Sequence, residues 1–333
     1  MDTNPVDERE KLLEPEGESP PVMQPETSHH RFSEHLKALR PRQWTKNLIV
    51  FAVPLFAFRL DSLGSCFIAF LLFCCVSSGF YLLNDIADLE SDRQHPVKCN
   101  RPIAAGKVAI PTAIAMAGGL LIGALLVSGL WKPTLALTLF AYILLQTAYN
   151  LKLKHKPIAD IGAIATGFLL RAYAGSASTD IPVSPWFLLC TAMLSLFLAI
   201  EKRKAELKMM LRYGGSTRFV LQRYSLPFLY RMESTATTST VMCYALWSSG
   251  PVVNGASTAW MLFTLPFVMF GIFRYQFLVD TIDRKLELGQ ESTKSTERPE
   301  DVLLSDIPIL VTVISWVAVI VGIHICQTAG LIA

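Results

Sequence analysis

The chain has 333 residues, of which 52% are hydrophobic and only 17% are charged, and its formal net charge is +3. Soluble domains carry about 25% charged residues, so this composition favours a membrane bundle and excludes a largely disordered chain, a nucleic-acid binder and a secreted disulfide scaffold. The seven cysteines form no Cys-x-x-Cys pair, so neither a zinc site nor a disulfide framework is indicated.

The first 30 residues are acidic and rich in proline, and they contain no apolar run. Such a segment cannot bury enough apolar surface to fold, so it predicts a disordered tail. Residues 31–333 are predicted to form one membrane domain. A helix needs about 17–25 mostly apolar residues to cross a bilayer, and by that measure the sequence predicts an all-α bundle of nine spans. The spans lie near residues 43–60, 66–83, 109–130, 134–150, 158–177, 184–201, 236–252, 257–279 and 308–328.

The distribution of basic residues predicts the orientation of this bundle. With nine spans, 26 Lys and Arg residues fall on the side of the N-terminus and two fall within spans, while Arg59 and Lys132 lie on the other side. Cytoplasmic loops of membrane proteins carry an excess of Lys and Arg. The N-terminus and the long loops are therefore predicted to be cytoplasmic, in the cytoplasmic membrane if the source is bacterial.

A group of acidic residues follows the second span. Asp85, Asp88 and Asp92 stand at positions i, i+3 and i+7, so a helix would place their carboxylates on one face. Together with Asn84 they offer the hard oxygen ligands that Mg²⁺ prefers. Because charged groups at a membrane span are costly, a magnesium site is favoured over a solvated helix end. The basic residues that follow suit phosphate groups, namely Arg93, Lys98, Arg101 and Lys107.

A second charged group ends the sixth span on the same side. It reads Glu201-Lys202-Arg203-Lys204-Ala205-Glu206 and predicts a phosphate-binding cluster supported by acids. The alternative is a salt-bridged helix end, because Lys202 and Glu206 are at i, i+4. Asp160, which opens the fifth span, and Arg171, three turns later, are expected to pair, directly or through a partner.

Other polar residues on this side are predicted to bind substrate. They are Lys46 and Asn47 before the first span, Tyr149, Lys152 and Lys154 after the fourth, and Arg274 and Tyr275 in the eighth. For the groups at the first and fourth spans the alternative is a basic membrane interface, with Trp44 as an anchor.

The run Asn84-Asp85-x-x-Asp88-x-x-x-Asp92 resembles the first aspartate-rich motif of the UbiA-like membrane prenyltransferase superfamily, and the resemblance covers residues 36–330. The predicted bundle is similar to that family's fold. Most of its prenyltransferases carry a second aspartate-rich motif after the sixth span, where this chain is net positive. Several segments look like the decaprenyl-phosphate phosphoribosyltransferase branch instead, namely 41–47, 84–106, 153–160, 167–175, 201–207, 274–275, and Pro299-Glu300-Asp301 followed by Asp306.

This resemblance implies a Mg²⁺-dependent pentosyltransferase. It would move the 5-phosphoribosyl group of phosphoribosyl pyrophosphate (PRPP) onto a polyprenyl phosphate and release pyrophosphate, making a precursor of cell-envelope arabinose. It implies that Asp85 and Asp88 are catalytic, that Asn84 and Asp92 complete the metal site, and that the basic residues bind phosphates. The alternative is a prenyltransferase that joins a polyprenyl diphosphate to an aromatic acceptor. A transporter is disfavoured, because transporter sites lie near the membrane midplane.

Overall fold

The computed structural model describes residues 28–95, 97–213, 219–287 and 306–332. Within these ranges the regular structure is entirely helical, as predicted. The predicted tail lies outside them except for its last three residues, which begin the first helix, and the segment 299–301 lies outside them as well. The α-helices are α1 (Ser28–Ala38), α2 (Ala52–Phe56), α3 (Leu63–Ala87), α4 (Leu89–Gln94), α5 (Ile110–Trp131), α6 (Pro133–Leu151), α7 (Ala159–Thr179), α8 (Pro185–Tyr213), α9 (Leu226–Ser248), α10 (Leu265–Glu287) and α11 (Ile307–Thr328).

Six helical segments among the described residues are long and apolar enough to cross a membrane. Each matches a predicted span, and the chain is therefore an integral membrane protein. The six are Leu60–Ala87, Ile110–Trp131, Pro133–Leu151, Pro185–Arg212, Ala259–Ile282 and Ile307–Thr328.

The first predicted span, 43–60, is wrong as a single long helix. A 3-10 helix over Pro41–Phe51 continues into α2, and the chain turns at Phe58, where φ is 53°. A 3-10 helix rises about 2.0 Å per residue and an α-helix about 1.5 Å. The two segments together therefore extend about 30 Å, close to the thickness of the bilayer hydrocarbon.

The seventh predicted span, 236–252, also needs correction, because α9 begins ten residues earlier, at Leu226. Its first turns contain Arg231, Glu233 and several hydroxyl residues, which lower the hydropathy. Glu233 is buried against α8. The start of α9 thus faces other helices, and hydropathy marks only its apolar second half.

Helix α7 lies at the centre of the bundle, in contact with α2, α3, α6, α8 and the 3-10 helix. Small residues on α7 permit this close packing. Gly175 lies directly against the backbone carbonyl of Val50, where an added Cβ would collide with the carbonyl oxygen. The approach holds the 3-10 helix against α7 and so positions the residues that precede it.

Polar side chains gather at one end of this bundle, where α3, α6 and α8 reach their C-terminal parts and α7 and α9 begin. Asn150 on α6 donates to Asn84 on α3, and Arg203 on α8 donates to Tyr149 on α6. The opposite end holds an ion pair between Lys132 and Asp180. We call the first of these the site end.

Candidate active site

Two buried aspartates converge at the end of α3. Arg101 Nη1 lies 3.2 Å from Oδ1 of Asp85 and also pairs with Asp92. Asp85 forms a further ion pair with Arg40, which precedes the 3-10 helix. The side chains of Asp85 and Asp92 are 4% and 3% exposed. The predicted shared face therefore holds for these two carboxylates.

Asp88 differs from its two neighbours because it stands at the break between α3 and α4 and is exposed. Asn84 is half-buried, and its Oδ1 accepts a hydrogen bond of 2.7 Å from Nδ2 of Asn150. The four predicted metal ligands therefore surround the end of one helix, with two side chains inside the bundle and one at its surface.

The donor set at this helix end suits Mg²⁺. Among the described residues, no three His, Cys, Asp or Glu side chains are close enough together to share a metal ion. Arg40 and Arg101 pair with the carboxylates of Asp85 and Asp92, and Asp88 is exposed at the helix break. Mg²⁺ usually takes only one or two carboxylates and fills its shell with substrate phosphates and water. The carboxylate and amide oxygens at this helix end are therefore a donor set that fits Mg²⁺.

The loop after α4 is ordered by its own basic residues. Arg93 Nε donates to the carbonyl of Ala104 at 3.3 Å. His95 Nδ1 accepts from the backbone N–H groups of Val97 and Lys98 at 3.2 and 3.4 Å. Lys98 is exposed. These contacts hold the loop in place and leave the ammonium group of Lys98 at the surface of the site end.

Glu34 on α1 ties this loop to the N-terminal helix. Its carboxylate lies 2.6 Å from Lys37 Nζ and 3.5 Å from Lys107 Nζ. The hydrogen bond from Lys37, and then the charge of Lys107, holds the pKa of Glu34 below its ordinary value. Lys107, predicted to face phosphate, is thus paired with a buried carboxylate.

Arg203 is buried at the centre of a second polar network, with a fully covered side chain. Its Nε donates to Asp160 Oδ2 at 2.7 Å, its Nη1 to Glu206 Oε2 at 2.5 Å and its Nη2 to Tyr149 at 3.3 Å. Its three nitrogens therefore contact protein oxygens, and Arg203 connects α6, α7 and α8. This arrangement is the salt-bridged alternative, with Arg203 in place of Lys202.

Tyr224 completes the network from the connection between α8 and α9. Its hydroxyl donates to Asp160 Oδ1 at 2.6 Å and accepts from the backbone N–H of Ile158 at 2.6 Å. Burial, and then the hydrogen bond to Asp160, raises the pKa of Tyr224 above its ordinary value. The tyrosine thereby fixes the start of α7.

The expected pairing of Asp160 with Arg171 is wrong. Arg171 Nε donates to Asn47 at 2.7 Å, and Nη2 donates to Tyr142 at 2.5 Å. Asn47 in turn donates to Sγ of Cys74 at 3.3 Å and is fully buried. Three turns of α7 place Asp160 and Arg171 at different depths, where each finds another partner. Asn47, predicted to bind substrate, holds the 3-10 helix to α3 and α7.

Lys204 bridges two buried carboxylates. Its Nζ lies 2.6 Å from Glu201 Oε1 and also pairs with Glu233 on α9. Glu233 Oε1 accepts from Gln276 Nε2 of α10 at 2.9 Å. The network joins α8, α9 and α10, and Glu201, a predicted substrate ligand, lies inside it.

Arg274 binds Asp306 with two hydrogen bonds, at 3.2 and 3.0 Å. Asp306 also caps α11 by accepting from the N–H of Ile309 at 3.1 Å. Tyr275 is buried and packs edge-on against Phe197. The structure thus gives Arg274 a role in holding α11 to α10, where the sequence predicted substrate binding.

The remaining predicted ligands stay accessible at the site end. Lys46, Lys154 and Lys202 are half-buried, and Lys152 is exposed. Lys154 belongs to a short 3-10 turn, Leu153–His155, between α6 and α7. Arg93 and Lys98 are exposed as well, and the side chain of Arg101 is 28% exposed.

An apolar cavity of about 430 Å³ lies between the 3-10 helix and helices α7 to α11. Ile49 and Phe168 line it, and Leu194, Gly271 and Tyr275 line its other walls. A second cavity of about 410 Å³ lies towards the opposite end. The two share Phe56, Phe187 and Trp247 as lining residues.

Several residues of these networks were not among the predicted site residues. Asn150 follows Tyr149 directly and could have been found as a polar residue at a span end. Arg40 offers no such signal, because its contact with Asp85 depends on a left-handed backbone at φ 55°. Glu233, Tyr224 and Gln276 are further examples, which reach the networks from helices or turns far away in sequence.

Comparison with known proteins agrees with this geometry. The model of the UbiA prenyltransferase family matches residues 48–288. A decaprenyl-phosphate phosphoribosyltransferase of Mycolicibacterium smegmatis is 36% identical over 300 residues, covering 86% of this chain and 90% of the relative. The Corynebacterium glutamicum enzyme of the same name is 38% identical over 295 residues, covering 86% and 85%.

Solved structures show the same fold. A UbiA homologue from Archaeoglobus fulgidus, bound to DMAPP and Mg²⁺, superposes with a TM-score of 0.65 at 16% identity, covering 87% of this chain and 98% of that one. The family match spans most of the chain, and the fold and the aspartate-rich helix end agree with it. This chain is therefore a member of the UbiA prenyltransferase family.

Proposed function

We propose that the protein is a phosphoribosyltransferase that transfers the 5-phosphoribosyl group of PRPP to a polyprenyl phosphate of the decaprenyl type and releases pyrophosphate. The observation that carries this proposal is the identity of 36–38% over almost the whole length of relatives with that activity in their names. The site supports this proposal. PRPP carries a diphosphate and a 5-phosphate and the acceptor lipid carries a phosphate, and these anionic groups need the accessible cations that the site end provides.

The residues at the end of α3 would hold Mg²⁺ through the carboxylates of Asp85 and Asp88, with further oxygens from Asn84 and Asp92. When bound, the metal would supply positive charge to stabilise the leaving diphosphate. Arg101 lies beside the same carboxylates and would contact the same phosphates. Lys46, Lys154 and Lys202 would neutralise the other phosphate groups of the donor and the acceptor.

The reaction itself needs positioning more than proton transfer. An oxygen of the acceptor phosphate attacks C1 of the ribose, the bond from C1 to the diphosphate breaks, and pyrophosphate leaves with the electron pair. The acceptor is already an anion near neutral pH, so no base is required. As in other glycosyl transfers, C1 passes through a state with oxocarbenium character.

The polyprenyl chain would lie in the apolar cavity that Ile49 and Phe168 line, so that its phosphate reaches the site end. The site end and the N-terminus are proposed to be cytoplasmic, because 26 Lys and Arg residues fall on that side of the predicted topology and two on the other. PRPP is soluble and would reach this face from the cytoplasm.

A labelled-donor assay tests the proposal. Proteoliposomes receive either PRPP labelled in its 5-phosphate with decaprenyl phosphate, or a labelled polyprenyl diphosphate with 4-hydroxybenzoate. We expect label in the lipid product only from PRPP. Product only from the second mixture would instead establish an ordinary prenyltransferase.

Variants at the helix end connect that activity to the proposed site. Asp85→Asn and Asp88→Asn should each lower transfer at least about 100-fold, because each removes a metal ligand that stabilises the leaving group. Glu90→Gln is the matched control, since Glu90 is an exposed carboxylate on the adjacent helix α4. Near-native transfer by either Asp variant would refute the metal assignment.

A further inference from the structure

Arg40 is held beside Asp85 by an uncommon backbone conformation. Its φ and ψ are 55° and 61°, a left-handed region that residues with a Cβ rarely adopt. The conformation directs the side chain back to α3, where the guanidinium pairs with Asp85 and lies 5.2 Å from the centre of the Tyr81 ring. The sequence and the proposed mechanism leave Arg40 without a role.

The charges of the two arginines and the two buried aspartates cancel. Asp85 forms ion pairs with Arg40 and Arg101, and Asp92 forms an ion pair with Arg101. Buried carboxylates require such partners, because an unpaired charge in a low-dielectric interior is costly. The two buried carboxylates are therefore balanced by protein groups alone.

The arginines also cover the carboxylates. The side chains of Arg40 and Arg101 are 27% and 28% exposed, whereas those of Asp85 and Asp92 are almost completely covered. A divalent cation that approaches from the open side must displace a guanidinium to reach either carboxylate. A cation that binds alone would add positive charge to these balanced carboxylates. A cation that binds together with a diphosphate would not, because the diphosphate brings its own negative charge.

We infer that Arg40 is an exchangeable counter-ion, which occupies Asp85 until a divalent cation and a diphosphate bind together, and which then pairs with the diphosphate. Metal binding is thereby coupled to donor binding. The inference rests on the proposed function to the extent that the donor carries a diphosphate, and it does not depend on the group that is transferred.

The test compares the purified full chain with Arg40→Gln in two binding measurements without turnover. Mn²⁺ binding to the donor-free protein is followed by electron paramagnetic resonance, and pyrophosphate binding at saturating Mn²⁺ by calorimetry. We expect Arg40→Gln to bind Mn²⁺ about tenfold more tightly and pyrophosphate about tenfold more weakly, the effect of one charge-assisted hydrogen bond in each state. Arg40→Lys, which keeps the charge, should shift both affinities less.

Arg59→Gln serves as the matched control, because Arg59 pairs with Asp61 in an exposed contact outside the site end. It should change neither affinity. Opposite shifts in Arg40→Gln support the exchange, whereas shifts in the same direction, or no shift, overturn it. If the PRPP assay fails while the opposite shifts persist, the phosphoribosyl donor is rejected and the exchange is retained.

Discussion

Nε of Arg203 on α8 lies 2.7 Å from Oδ2 of Asp160 at the start of α7, and neither side chain has any exposed surface. The pair joins the two helices at the level of the site end, with Tyr224 and Tyr149 on either side of it. Removing one member of a buried ion pair leaves an uncompensated charge in the interior. The stability of this end of the bundle therefore depends on the pair.

Asp160→Asn should lower the free energy of unfolding by about 3 kcal/mol, because Arg203 would stay buried with only the partly exposed Glu206 as its counter-charge. The measurement is reversible denaturation in mixed detergent micelles, followed by circular dichroism. Asp61→Asn is the control, since Asp61 belongs to the exposed pair with Arg59, and it should leave stability unchanged. Equal, small effects of both substitutions would contradict a structural role for the buried pair.

The aspartate-rich segment was predictable because residues at i, i+3 and i+7 are expected to lie close together on a helical chain. The spacing predicts that Asp85 and Asp92 lie together, and the structure confirms this, because Asp85 on α3 and Asp92 on α4 share Arg101. Spacing does not locate the helix break at Asp88, which turns that side chain to the surface. Six of the predicted spans could be predicted equally well, because each contains a window of high mean hydropathy with few charged residues.

The partners of the basic residues could not be read from local sequence. Arg203 and Glu206 lie one turn apart on α8, but Asp160 and Tyr224 come from distant parts of the chain. Whether a guanidinium binds a phosphate or a carboxylate depends on these tertiary contacts. A charge count therefore predicts an anion site where the structure has a neutralised network.

Arg274→Ala tests whether Arg274 binds substrate or holds α11 to α10. Because Arg274 binds Asp306 with two hydrogen bonds, we expect a lower melting temperature and an unchanged KM for PRPP. Asp306→Asn should lower the melting temperature in the same way, since it weakens that contact and the cap of α11. A several-fold rise in the KM for PRPP at unchanged thermal stability would instead indicate that Arg274 binds substrate.

The ion pairs of Glu34 predict that the docking of α1 on the rest of the protein depends on pH. Its pKa is lowered in the folded protein, so its contribution to stability is present above the ordinary value of 4.5 and is lost as the pH falls through the folded value. The protection factors of the α1 amides, which correct for the pH dependence of intrinsic exchange, should therefore fall below about pH 4.5 in the native protein. Glu34→Gln should exchange rapidly at neutral pH too, with little further change on acidification, whereas Glu90→Gln should behave as the native protein does. Identical exchange profiles of Glu34→Gln and the native protein would exclude this linkage.

The apolar cavity gives a prediction about acceptor length. Gly271 lines it, and a Cβ added there meets no atom within 4 Å, so Gly271→Leu would fill part of the space that we assign to the polyprenyl chain. Crowding of a packed apolar site costs about 1–3 kcal/mol, so transfer to decaprenyl phosphate should fall about tenfold or more, while transfer to a short prenyl phosphate and the KM for PRPP should not change.

Gly118→Leu is the matched control for that crowding. Gly118 also has open space around its added Cβ, but it lies on α5 and does not line the cavity. Both substitutions replace a helical glycine with leucine, so a general effect on folding should appear in both. The ratio of long-chain to short-chain transfer should fall in Gly271→Leu alone. An equal loss with both acceptors would place the polyprenyl chain elsewhere, because only an acceptor that reaches Gly271 can sense the added side chain.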